Sequence, residues 1–229
     1  MNYLLPIFAV LAGYLFVITF KPNDPKKLKL LLAFSGAFLL SITVFHLLPE
    51  VYHQHDHEQE DFAKNTGIFI MLGILLQIFL EFFSKGAEHG HMHFNKNMTT
   101  FPWLLFISLS IHAFLEGFPI HDHDTLVYGI VVHKFPVAVI LSTFFIEAKI
   151  SKTKVLSFLI LFSLMTPAGT WLSEYAVLLK DYHRQITALV IGILLHISTV
   201  ILFETSEGHK FNFNKLIVIM VGIVVAYFM

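Results

Sequence analysis

Eight apolar stretches, each about as long as a bilayer crossing, take up almost the whole of this 229-residue chain. A helix needs about 17–25 mostly apolar residues to cross the hydrocarbon. The stretches run over residues 2–20, 28–50, 66–83, 101–120, 126–147, 155–175, 186–203 and 213–229. Short loops join them and leave no room for a soluble domain. Hydrocarbon offers no hydrogen bonds, so each crossing segment must satisfy its own backbone. The expected fold is therefore an all-α integral membrane protein, one transmembrane domain of eight helices spanning residues 1–229. Only 14% of the residues are charged and 56% are hydrophobic, whereas a soluble domain carries about 25% charge.

The first stretch could be taken for a cleaved leader, but it has no basic start and no small-x-small site at its end, so it reads as a retained span. Loop charges test the count of eight. The loops after spans one, three, five and seven hold Lys21, Lys26, Lys27, Lys29, Lys85, Lys96, Lys149, Lys152, Lys154, Lys210 and Lys215. The loops after spans two, four and six hold only Lys64, Lys180 and Arg184. Basic residues gather on the cytoplasmic side. The alternation thus puts both termini outside, and an extra or missing span would scramble it. The formal charge of −1 leaves no basic footprint for nucleic acid, and the absence of cysteine excludes thiolate chemistry and disulfides.

Histidine is over-represented, with 14 residues against 15 Lys and Arg together. Ionisable groups inside spans are costly and tend to mark a pathway or a site. Span four carries His112 and Glu116, four residues apart, which places an imidazole and a carboxylate on one helix face about 6 Å apart along the axis. Span five carries His133 beside Lys134. Two histidines and one carboxylate suit Zn²⁺, and also Fe²⁺ or Mn²⁺. The competing reading of His112 and Glu116 is a hydrogen-bonded pair that only joins helices.

Lys134 cannot ligate a metal while protonated; it can pair with Glu116 or another acid or snorkel outward, and the preferred reading puts its ammonium where a second metal would sit. Gly117, Pro119 and Pro136 interrupt the helices beside these residues, as at the broken helices of transporters. His46 and Glu50, also four apart, could guide a cation from outside. His196 is a lone span histidine, best read as an interhelical hydrogen bond and less well as a ligand. Histidines and acids also crowd the loops: His53, His55, Asp56 and His57; His89, His91 and His93; and His121, Asp122, His123 and Asp124.

In order along the chain, these residues resemble the ZIP (Zrt/Irt-like) divalent metal transporters. His46-Leu47-Leu48-Pro49-Glu50 resembles the family's second-span HLLPE. His112 to Gly117 resembles the fourth-span H-x-x-x-E-G, and Thr166-Pro167-Ala168-Gly169 the sixth-span TPxG. His133-Lys134 resembles the fifth-span H-K of the ZIP1-like subfamily. The resemblance implies a transport site at His112, Glu116 and His133. It implies uptake of Zn²⁺, with Fe²⁺, Mn²⁺, Co²⁺ and Cd²⁺ as alternatives, into the cytoplasm and without ATP.

It also implies an elevator-type architecture, in which spans one, four, five and six slide against spans two, three, seven and eight. A homodimer in a lipid bilayer, a bacterial inner membrane from the compact chain and simple loops, completes the expectation. Binuclear members carry Asn after the fourth-span His and a carboxylate four residues after the fifth-span ligand. Here those positions hold Ala113 and Val137, so a mononuclear site is expected. Two rival readings remain: an intramembrane metal-dependent hydrolase, although no H-E-x-x-H occurs, and a haem protein using span histidines.

Overall fold

The computed structural model describes residues 3–22, 24–53, 59–84, 102–121, 124–204 and 213–229. All the regular structure among them is helical. The helices are α1 (Leu5–Phe20), α2 (Pro25–Ile42), α3 (Leu48–His53), α4 (Gln59–Ser84), α5 (Trp103–Glu116), α6 (Asp124–Glu147), α7 (Lys152–Tyr175), α8 (Val177–Lys180), α9 (His183–Glu204) and α10 (Phe213–Tyr227). A π turn at Thr43–Leu47 joins α2 to α3, and a 3₁₀ turn at Phe118–His121 extends α5.

All eight apolar stretches are helical. Six are long and apolar enough to cross a membrane: Pro25–Tyr52, Ala63–Ser84, Trp103–Ile120, Thr125–Glu147, Lys152–Tyr175 and His183–Phe203. The other two, α1 and α10, have 16 and 15 residues. At 1.5 Å per residue they reach only about 22–24 Å, less than the hydrocarbon thickness. The described part of the first stretch turns helical only at Leu5, after Leu4 has entered as the cap, so the helix starts later than the apolar run.

The helices pack as two groups. In the first, α1 lies on α6 and α7, and α5 lies on α7. The core of this group is Val10, Leu105, Leu109, Val137, Leu141, Phe145, Phe158 and Phe162, drawn from all four helices. In the second group, α9 packs on α4 and α2, and α10 packs on α2. The groups meet where α6 lies on α2 and where α5 lies on α4. Leu126, Val127 and Ile130 at the start of α6 join the core of α2 and α9 there, and the Ser108 hydroxyl donates to the Leu80 carbonyl at 2.5 Å. The outer side of α4 exposes Met71, Leu75, Phe79 and Phe82, a surface that suits hydrocarbon.

Glycines set the spacing at the tightest crossings. A Cβ on Gly73 would run into the Leu189 carbonyl, and a Cβ on Gly192 would run into the Ile70 carbonyl, so α4 and α9 touch backbone to backbone. Such contact is the usual device where no water drives helices together. Gly192→Ala is expected to lower the thermal unfolding midpoint in detergent, at a cost of about 1–3 kcal/mol from overpacking. Gly67→Ala, whose new methyl would meet only the Tyr52 hydroxyl at 3.9 Å, is expected to hold or raise it through helix propensity. Equal midpoints for the two variants would contradict this account.

Candidate metal site

The cluster at the centre of the first helix group is built from α5, α6 and α7. Chain geometry at each helix explains why. Helix α5 stops at Glu116 because Pro119, three residues on, cannot continue the ladder; Gly117 caps it and the 3₁₀ turn follows. Pro136 lies within α6 and Pro167 within α7. Each removes one backbone donor and so loosens its helix beside the cluster. Helices α5 and α7 close on each other through paired glycines. A Cβ on Gly117 would strike the Thr166 carbonyl, and a Cβ on Gly169 would strike the Phe114 carbonyl. The Thr170 hydroxyl donates to the Gly117 carbonyl at 2.8 Å and locks the crossing.

This crossing seats Glu116 with no exposed surface, next to the buried side chains of His112, His133, Lys134 and Thr166. The Lys134 Nζ lies 2.6 Å from Glu116 Oε1. The Thr166 hydroxyl donates to the same Oε1 at 2.9 Å. The other oxygen, Oε2, is 3.3 Å from His112 Nε2. The His112 and His133 rings stand edge to face with centroids 6.3 Å apart. The Lys134 ammonium also sits 4.4 Å from the centre of the Phe162 ring, within reach of a cation–π attraction. Leu109, Val137 and Phe162 complete the lining.

A carboxylate without an exposed atom needs an opposite charge close by, because desolvating it alone is prohibitive. Lys134 is that charge. The three expected ligands therefore share one crevice, but among the described residues no three His, Asp or Glu donors converge closely enough to hold an ion. Two imidazoles bound to one tetrahedral ion have centroids about 5 Å apart, from ligand bonds of about 2.0–2.1 Å. The His112 and His133 centroids are about 1 Å farther apart than that.

The remaining expected residues lie elsewhere. His196, on α9, has its Nε2 2.7 Å from Glu81 Oε2 on α4. This is the interhelical hydrogen bond that was its better reading, in the second helix group rather than the crevice. His46 lies on the π turn, where Leu48 N–H donates back five residues to the Thr43 carbonyl. Pro49 lacks the N–H that would bind the Phe45 carbonyl, and the widened turn accommodates that loss. His46 and Glu50, four apart in sequence, therefore sit on either side of a junction between π and α spacing. His46 is half-buried and Glu50 exposed. The histidine-rich stretches at residues 53–57, 89–93 and 121–124 lie outside the described residues and side chains.

Sequence reasoning missed one member of the cluster, Thr166, which stood out only as the first residue of Thr166-Pro167-Ala168-Gly169. Its signal was its place one residue before a helix-interior proline and three before a glycine, the pattern of a close crossing.

Comparison with known proteins adds one match. Residues 3–100 fit the family model described as ZIP Zinc transporter. The matched segment carries α1 to α4, while His112, Glu116, His133 and Thr166 lie beyond it. No curated protein matches the chain. Over its first spans the chain is thus similar to ZIP zinc transporters, and the helical fold with six membrane-length helices among the described residues agrees with that likeness.

Proposed function

We propose that this protein carries Zn²⁺ into the cytoplasm through a mononuclear site formed by His112, Glu116 and His133. The observation that carries the reading is the 3.3 Å between His112 Nε2 and Glu116 Oε2. Two ligand atoms about 2.05 Å from a tetrahedral Zn²⁺ are about 3.3 Å apart. That separation is long for an N–H···O hydrogen bond and right for two first ligands. His133 supplies the third once it closes by about 1 Å, and water supplies the fourth.

Lys134 balances Glu116 while the site holds no ion. The incoming ion displaces its ammonium from the crevice, and the ammonium returns to Glu116 when the ion leaves. A buried carboxylate thus keeps a counter-charge in both states. Such exchange favours release, which a carrier requires and a structural zinc site does not. Fe²⁺, Mn²⁺, Co²⁺ and Cd²⁺ fit the same donors, but two imidazoles favour Zn²⁺.

The packing supports movement of α1, α5, α6 and α7 as a unit against α2, α4, α9 and α10. The crevice lies wholly within the first group, and the surface between the groups is largely apolar. With eight crossings and the termini outside, entry into a negative cytoplasm is favoured by about 4.6 kcal/mol per 100 mV for a divalent ion.

Proteoliposomes loaded with a zinc-sensitive dye test this. Wild-type protein should take up Zn²⁺, and His112→Ala and Glu116→Ala should lose at least about nine-tenths of the rate; wild-type rates in both variants would sink the assignment. Uptake should also fall as the outer solution is acidified, because protons compete with metal for imidazole and carboxylate.

A second expectation concerns Lys134. Lys134→Met leaves Glu116 buried without its counter-charge and should cost about 3–5 kcal/mol of stability without metal. Zn²⁺ should restore more of the unfolding midpoint in this variant than in wild type, since it replaces the missing charge. Equal Zn²⁺ shifts in the two proteins would show that Lys134 and the ion do not compete.

A further inference from the structure

We infer that Thr166 is a positioning residue of the transport site. Its hydroxyl holds one oxygen of Glu116, so that the carboxylate meets the ion through the other oxygen alone. The inference rests on the site proposed above and specifies how its carboxylate is used.

The hydrogen bonding of the threonines carries it. Inside a helix a threonine hydroxyl ordinarily donates to the carbonyl four residues back. Thr19, Thr43, Thr143 and Thr199 all do so, to Leu15, Leu39, Val139 and Leu195 at 2.7–2.8 Å. Thr166 does not. Its hydroxyl reaches across to α5 and donates to Glu116 Oε1 at 2.9 Å. The backbone behind it is fixed. The Thr166 carbonyl accepts from the Thr170 hydroxyl at 3.1 Å and abuts Gly117, the residue after Glu116.

The two carboxylate oxygens therefore differ. Oε1 is engaged by the Thr166 hydroxyl and the Lys134 ammonium. Oε2 is buried, accepts no well-formed hydrogen bond, and faces His112 Nε2. Thr166 bonds the oxygen that His112 does not face, and its hydroxyl stays in place when an ion displaces the ammonium. A carboxylate pinned by one oxygen cannot swing to bind an ion through both. One-oxygen binding suits the low coordination number of Zn²⁺. Two-oxygen binding adds a ligand, which suits larger ions of higher coordination number. Thr166 in this way sets both the geometry at Glu116 and the preference among ions.

The test compares Zn²⁺ and Cd²⁺ uptake by proteoliposomes of wild type, Thr166→Val, Thr166→Ser, His112→Ala and Glu116→Ala. Valine keeps the shape of threonine and removes the hydroxyl; serine keeps the hydroxyl. Discrimination between Zn²⁺ and Cd²⁺, as the ratio of their kcat/KM values, should fall about tenfold in Thr166→Val, the scale of a lost hydrogen bond to a charged group. Thr166→Ser should restore it. A purely structural role would lower both uptakes together and leave the ratio unchanged.

An infrared difference spectrum of wild type, with Zn²⁺ minus without, supplies a measurement that does not depend on Thr166→Val folding. The carboxylate bands lost in Glu116→Gln should show the wide splitting of one-oxygen binding. A narrow splitting, or an unchanged ratio in Thr166→Val while His112→Ala and Glu116→Ala are dead, would overturn the role of Thr166 and leave the site standing. Wild-type uptake by His112→Ala and Glu116→Ala would remove the site and this inference together.

Discussion

Glu116 is the group around which the first helix bundle is arranged. A carboxylate with no exposed surface in a membrane span has to be matched on every side. Lys134 supplies the opposite charge, Thr166 a hydroxyl, and His112 an imidazole, each from a different place on three helices. Helices α5 and α6 have little direct contact with each other; both lie against α7. What spans the gap between them is this set of charged and polar side chains. The Lys134 ammonium that balances Glu116 thus ties the charge of the crevice to the packing of the helices around it.

Two kinds of residue make such an arrangement possible in a small chain. Glycines let backbones touch: Gly117 with Gly169 at the site, and Gly73 with Gly192 in the other group. In lipid, close packing and interhelical hydrogen bonds have to supply what the hydrophobic effect supplies in water. Prolines loosen the same helices next to the ionisable residues, at Pro119, Pro136 and Pro167. The result is a tight crossing beside softened helix segments. Elsewhere the contact between the two groups is largely apolar, with Ser108 donating to the Leu80 carbonyl across it.

Much of the site was legible in one dimension. The four-residue spacing of His112 and Glu116 put both on one face of α5, and the structure keeps them 3.3 Å apart. Helical spacing worked there because α5 is regular up to Gly117. Around His46 the backbone departs from that spacing: a π turn precedes Pro49, and a five-residue backbone bond shifts the faces that follow. His196 looked like a span histidine of either kind. Its partner, Glu81, is 115 positions away on another helix, and no local pattern joins the two.

The sequence by itself determined the class of the protein and the chemistry available to it. Runs of apolar residues at bilayer length require helices, since hydrocarbon leaves the backbone no other partner. The few ionisable residues inside those runs name the candidates for a site. Only the tertiary structure decided how those candidates pair. Lys134 could have turned outward to water; it lies on Glu116 instead, because α7 and Phe162 close the crevice around it. Thr166 could have bonded its own helix, as other threonines here do; it bonds Glu116 because Gly117 and Gly169 bring α7 within reach. Helix spacing along a chain is local, whereas the distance between two helices depends on what both of them leave out at the crossing.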